Sequence, residues 1–280
     1  MRQCFSIGLF ALLVLSLPGC GGFRDTKPQL PGNLDTLCMP DYASGFEMYR
    51  YDSSTLLRIV NPWQGADSVS QWVFLSRDDE KPPKGFAGET IDVPVRRIVC
   101  MSSSYVAFLE ALGADSTICA ISGTGYIWSD KVRNRIAGGE IAEAGFDNSL
   151  NFEKLVALKP DVVFLYGLTG KNAVTDKLHE LGLKTVYIGD YVENNPLGRA
   201  EWITVFGEFT GRRELARTLF DSISNEYNRA KALVSGVEKR PEVMLNAPWQ
   251  DSWFVPGDRS YMVRLLEDAG GNYACRGVDS

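Results

Sequence analysis

The chain has 280 residues, 45% of them hydrophobic and 23% charged, with a formal net charge of −6 at neutral pH. These values exclude a disordered, collagen-like or disulfide-dense chain, and no stretch is basic enough to neutralise a run of phosphates, so no nucleic-acid partner is expected. The one histidine, His179, excludes a multi-histidine zinc centre and leaves any Ser-His-Asp or Cys-His arrangement a single base.

Residues 1–19 read as an export signal: Arg2 gives a positive start, and the apolar run over 5–17 is too short to span a bilayer. The run ends Leu17-Pro18-Gly19-Cys20, which resembles the lipobox of bacterial lipoproteins. By that resemblance Cys20 becomes the acylated N-terminus, anchoring an exported protein on the periplasmic or cell-surface side of a membrane; the other reading is an uncleaved hydrophobic anchor. Residues 20–44, rich in Gly, Pro and polar side chains over 21–33, read as a flexible tether. Cys100 and Cys119 fall inside apolar runs and are expected as buried free thiols. A Cys38–Cys275 bridge is conceivable, but no spacing supports it.

Over 45–92 short-period apolar runs at 46–51, 55–60 and 71–75, separated by Asp52-Ser53-Ser54 and Asn61-Pro62-Trp63-Gln64-Gly65, predict an antiparallel meander, with a loop over 78–88. From Val93 the texture changes. Strands over 97–101, 117–121, 161–166 and 184–188 alternate with helices over 105–112, 152–158 and 173–181, the signature of parallel βαβ units. This α/β unit occupies 93–195. A helical region follows over 196–240, interrupted at Gly211, in which Leu215, Leu219, Ile223, Tyr227, Ala230 and Val234 repeat at three- and four-residue spacing. A helix over 214–235 would be about 33 Å long. Residues 241–280 begin another α/β unit, with a strand over 242–246 and a helix over 261–269, too few residues for a core of their own.

Three segments carry a family resemblance: 96–105 with Glu110-Ala111-Leu112-Gly113; Asn151-Phe152-Glu153-Lys154-Leu155 running on through Leu158-Lys159-Pro160-Asp161-Val162-Val163; and Ser252-Trp253-Phe254-Val255-Pro256-Gly257 with Ala269-Gly270-Gly271. Together they are similar to the periplasmic binding proteins that deliver iron-siderophores, haem or cobalamin to ABC importers. The resemblance implies an α/β fold of two Rossmann-like lobes joined by a long rigid helix, with ligand held between them. The meander is an addition to that plan. Family members continue well past the position of Ser280, so the second lobe reads as incomplete, whether in a fragment or a truncated product.

In open parallel sheets ligands sit outside the C-terminal strand ends. The candidate ligand-binding residues are therefore Ser103, Tyr105, Tyr126, Trp128, Phe146 and Tyr166, with Trp249 and Trp253 in the loop that opens the second lobe; flat rings suit a bulky metal complex. Core packing is the competing role for each ring. For an anionic siderophore, Arg133, Arg135 and Arg259 are the candidate cations. Glu153, in the first turn of a helix capped by Asn151, stabilises the helix dipole, and by the resemblance it docks on the permease. His179 is expected as a solvated helix residue. No nucleophile–base pair can be assembled, so no catalysis is expected; the lack of further histidines argues against a bare-metal site, and no cofactor is expected. The expected function is capture of an iron complex or cobalamin for an ABC permease, or scavenging by the same cleft without one.

Overall fold

The computed structural model describes residues 35–146, 149–167 and 173–277. The export signal, Cys20 and the tether up to residue 34 lie outside the described residues. The chain opens with a five-stranded sheet: β1 (Asp35–Cys38), β2 (Phe46–Tyr51), β3 (Ser54–Val60), β4 (Ser70–Ser76) and β5 (Glu89–Asp92) lie side by side in sequence order. The first four pair antiparallel, and β5 joins β4 in parallel. Strand β1 lies in the stretch read as tether, and β5 closes the loop that follows the meander. Both are four residues long and carry no run of alternating apolar residues.

Alternation sorts the sheet into two faces. Phe46, Met48, Leu57, Ile59, Val73, Leu75 and Ile91 enter the main core, whereas Leu56, Trp72 and Phe74 form an outer cluster with Tyr49, Tyr51 and Phe86. Registers Phe46↔Ile59↔Gln71 and Arg50↔Thr55↔Leu75 place Gln71 and Thr55 on the inner face as well. These two polar exceptions are attachment points, described below.

The second sheet is parallel throughout: β6 (Ile98–Cys100), β7 (Ile118–Ile121), β8 (Ala142–Glu143), β9 (Val162–Leu165) and β10 (Thr185–Tyr187), in the spatial order β10-β9-β6-β7-β8. Helices α1 (Ser103–Ala111), α2 (Asp130–Ala137), α3 (Phe152–Leu158) and α4 (Ala173–Glu180) connect the strands. Helix α2, short and largely polar, and the two-residue strand β8 do not stand out in the sequence. Cys100 and Cys119 are buried free thiols on opposite faces of this sheet, and Cys275 is free.

Three helices follow: α5 (Pro196–Glu201), α6 (Ile203–Thr210) and α7 (Arg213–Leu233). All eight residues of α6 are buried. It is a core helix pressed between the two sheets, and Gly211, with φ +69°, turns the chain from α6 into α7 in a conformation that favours glycine. Helix α7 has 21 residues, hence about 32 Å. Only Ala216 and Phe220 near its start are buried. Its far end meets the last unit, β11 (Glu242–Val243), α8 (Tyr261–Asp268) and β12 (Asn272–Tyr273), through Tyr227 and Lys231, which reach Asp268 at 2.9 and 2.8 Å. The strand β11 is shorter than its apolar run and pairs in parallel with β12.

Buried carboxylates bind the first sheet to the rest. Glu201, fully buried, accepts the backbone N–H groups of Asp41, Tyr42 and Ala43, each at 2.8 Å. Glu193 accepts from the N–H groups of Ser44 and Gly45 at 2.9 Å and from the Trp202 indole at 3.1 Å. A Cβ on Gly45 would stand 2.7 Å from Trp202 and 3.0 Å from Glu193, so only glycine fits that turn. Glu208 takes the Thr55 hydroxyl at 2.9 Å and pairs with Arg77 and Arg213. At the edge of the parallel sheet the Gln71 amide stands in for a strand, donating to Thr185 O at 2.8 Å and accepting from Tyr187 N at 2.9 Å. An otherwise open edge is thereby covered.

His179 is not a solvated helix residue. It is half-buried, with Nε2 2.7 Å from Thr185 Oγ1 and 3.3 Å from Glu89 Oε1. Its partner Glu89 comes from the first sheet, which local spacing on α4 could not reveal.

Glu201→Ala would strand three N–H donors, each costing about 1 kcal/mol or more. The variant is expected to lose at least about 3 kcal/mol, read as a lower urea midpoint at unchanged slope. Glu201→Gln, which keeps one acceptor oxygen, is expected to lose less; equal midpoints for all three proteins would refute the role.

Candidate functional site

The C-terminal ends of the parallel strands form one rim of the molecule. After β6, Ser102 caps α1, its hydroxyl accepting from Ser104 N at 3.3 Å, and Ser103 is exposed in the first turn. Tyr105 corrects the expectation: it is fully buried, its ring against Phe164 and Phe206 and its hydroxyl 3.1 Å from Leu165 O and 3.2 Å from Ile188 O. One helical step past the rim its side chain turns toward the sheet, where the phenol joins the ends of β9 and β10. It is a core residue with no surface for a ligand.

Beyond β7 and β8 a single carboxylate organises two loops. Glu143 accepts from Gly123 N at 2.9 Å, Thr124 N at 2.8 Å, Gly145 N at 3.0 Å and the Thr124 hydroxyl at 2.6 Å. Burial alone would raise its pKa, but these bonds outweigh that and hold it below the usual carboxylate range. The loops so fixed carry Tyr126 and Phe146, which flank Gly123, and Trp128 stands nearby in sequence, 90% exposed.

After β9 and β10 the arrangement differs. Tyr166 packs on Tyr191, centroids 4.3 Å apart. The Tyr191 hydroxyl donates to Gly167 O and accepts from Gln64 N at 3.3 Å. Trp63, in the loop between β3 and β4, packs edge-on against Tyr187 at 5.2 Å. Here the rim encloses a recess of about 460 Å³, bounded by the 60–66 loop, Ser44 and Gly45, the 191–194 turn, and Ser260 and Tyr261 at the start of α8. The Arg199 guanidinium lies 4.0 Å from the centre of the Tyr261 ring. Next to Tyr191, Asp190 is almost completely buried with one oxygen unpartnered. Burial pushes its carboxyl above the ordinary range, against the opposing pull of Ser104 and the Arg199 charge.

In the last unit, Trp249 is 73% exposed, while Trp253 is half-buried with its indole N–H enclosed and unpartnered. The predicted rings thus fall in separate places. Strands β8 and β10 are opposite edges of the sheet, four strand spacings or about 19 Å apart. Tyr126, Trp128 and Phe146 belong to one side, and Tyr166 backs the recess on the other. Trp63, Gln64, Tyr191, Arg199 and Tyr261 escaped the sequence reading. Tyr191 follows a strand and obeys the same strand-end rule; Trp63 and Gln64 read there only as turn residues.

Among the candidate cations, Arg135 pairs with Glu140 and reaches Ile118 O at the opposite end of β7, away from the rim. Arg133 pairs with Asp130 on α2, and Arg259 is exposed beside Ser260. Glu153 is exposed in the first turn of α3, where the Asn151 side chain accepts from Lys154 N at 3.0 Å as expected of the cap. No group of three or more His, Cys, Asp and Glu among the described residues could hold a metal ion.

Two α/β units bridged by a long helix, with a recess at the C-terminal strand ends, define a substrate-binding protein. The chain belongs to the periplasmic binding protein family, whose model matches residues 98–276. It is 27% identical to an uncharacterized lipoprotein of Methanocaldococcus jannaschii, over 95% of this chain and 71% of that protein. Its fold is similar to a possible iron-binding (periplasmic solute-binding) protein of Staphylococcus epidermidis, with TM-score 0.54 and 21% identity over 67% of this chain and 70% of the other. It is also similar to the periplasmic haem-binding protein HutB of Vibrio cholerae, with TM-score 0.53 and 20% identity over 66% and 68%.

Tyr105→Phe is expected to cost about 1 kcal/mol in urea unfolding and to leave ligand affinity unchanged; a binding defect at full stability would return Tyr105 to the site. For Asp190 the folded pKa lies above the ordinary 3.8. Its contribution is therefore fully present below that value and lost as pH rises through the folded pKa. Unfolding curves of the native protein and Asp190→Asn, followed upward from pH 4, are expected to converge or cross in favour of the variant; parallel pH dependences would disprove the shift.

Proposed function

We propose that the protein is an exported, lipid-anchored receptor that captures an iron complex or cobalamin at the strand-end rim and hands it to an ABC permease. The observation that carries this reading is the recess between the parallel sheet and the start of the second unit, with Tyr191 on one wall and Tyr261 on the other. Family membership supplies the general task of substrate binding. The haem-binding and iron-binding neighbours favour a metal complex as cargo, and the lipoprotein relative favours acylation at Cys20. No described helix is long and apolar enough to cross a membrane. The work is capture, movement and docking, with no covalent chemistry.

Ligand identity is tested by native mass spectrometry of the protein purified from its own host, where a co-purifying iron chelate, haem or corrinoid is expected. A persistently empty protein that also fails to bind haemin, a ferric trihydroxamate, a ferric tricatecholate and cyanocobalamin would overturn the reading. Docking is tested by Glu153→Lys. Uptake of the bound complex is expected to fall about tenfold or more, while affinity in solution holds, because a like charge replaces one side of an interfacial pair. Unaltered uptake would favour scavenging without a permease.

A further inference from the structure

Part of the recess wall comes from outside the family domain. The family match starts at residue 98, whereas Gly45, Asn61, Trp63 and Gln64 belong to the added N-terminal sheet. The loop between β3 and β4 is closed on itself: Asn61 N donates to Val69 O at 2.8 Å, Asn61 Oδ1 accepts from Val69 N at 3.0 Å, and Ala66 N donates to Trp63 O at 3.0 Å. It is also fastened to the strand-end rim. The Trp63 ring sits against Tyr187, and a Cβ on Gly167 would already stand 3.2 Å from it. Gln64 N is held by the Tyr191 hydroxyl, leaving the Gln64 side chain exposed at the tip.

The charges of the recess are unequal. Glu193 lines it, but its carboxylate is saturated by Ser44, Gly45 and Trp202 and offers little to a cation. Arg199, behind the lining and stacked on Tyr261, has the opposite sign, and its charge also acts on the buried Asp190. The exposed Gln64 and Asn194 amides add hydrogen-bond donors. Such a wall suits an acceptor-rich, anionic periphery, of the kind that chelating oxygens or carboxylate arms give a metal complex.

We propose that the Trp63–Gln64 tip of the N-terminal sheet is a ligand-reading element, in which Trp63 fixes the tip and the Gln64 amide bonds the anionic periphery of a complex seated against Tyr261, the ring on which Arg199 stacks. This rests on the capture role proposed above and adds to it a source of selectivity outside the family domain.

The test measures affinities of haemin, a ferric tricatecholate, a ferric trihydroxamate and cyanocobalamin by tryptophan fluorescence, for the native chain, Gln64→Ala and Gln64→Glu. Neither change touches the backbone bonds that shape the loop, and matching urea midpoints check the fold. Gln64→Ala is expected to weaken whichever anionic probes the native protein binds about five- to tenfold. Gln64→Glu should weaken them more, with a loss that shrinks as salt is raised, while cyanocobalamin and the ferric trihydroxamate, whose cores carry no net charge, shift less than twofold. Native affinities in both variants for every probe would overturn the inference and leave the capture role standing. Failure of the native protein to bind any of the four, with nothing co-purifying from its own host, would overturn both.

Discussion

A carboxylate buried without donors is costly, and three that donors saturate hold this molecule together. Glu193 and Glu201 lie at either end of the short stretch between the parallel sheet and the core helix α6, and Glu208 lies within α6. Each takes donors from the N-terminal sheet: Glu201 three successive backbone N–H groups, Glu193 two more beside the Trp202 indole, and Glu208 the Thr55 hydroxyl and Arg77 beside Arg213 of α7. If the sheet came away, all three charges would lose partners at once. The sheet is therefore part of the same folding unit as the first lobe, and α6 is buried on all sides because the sheet covers it.

The recess depends on that attachment. The residues caught by Glu193 also line its floor, and the β3–β4 loop reaches the ends of β9 and β10 because Gln71 and Thr55 fix the sheet's register against the lobe. The architecture expected of a two-lobed binding protein places ligand at the strand ends. In this chain the rim is divided: the β7–β8 side presents exposed rings on loops stapled by Glu143, and the β9–β10 side encloses space. Rings at 70–90% exposure, such as Tyr126 and Trp128, pack little against their own chain.

Local periodicity carried far in the sequence. Helix α3 runs over the expected residues with its Asn151 cap, α7 ends within two residues of its expected bounds, Gly211 interrupts where a glycine should, and the parallel strands stand where continuous apolar runs lie between helices. These features arise from side-chain spacing within one turn or one strand, and the residues concerned are neighbours in the chain. Strands β1, β5, β8 and β12 escaped notice because two to four residues carry no usable period and gain their stability from a distant partner.

The same division runs through the site. The expectation that binding belongs to the loops after parallel strands follows from the alternating pattern, and with it the nomination of Tyr166 and its neighbours. Which rings gather, which sink into the core as Tyr105 does, and which residues of the added sheet join them were settled only on folding. Tyr191 and Gln64 are 127 residues apart, and His179 on α4 meets Glu89 of the first sheet. Contacts of that span depend on sheet order and register, which a one-dimensional pattern does not encode.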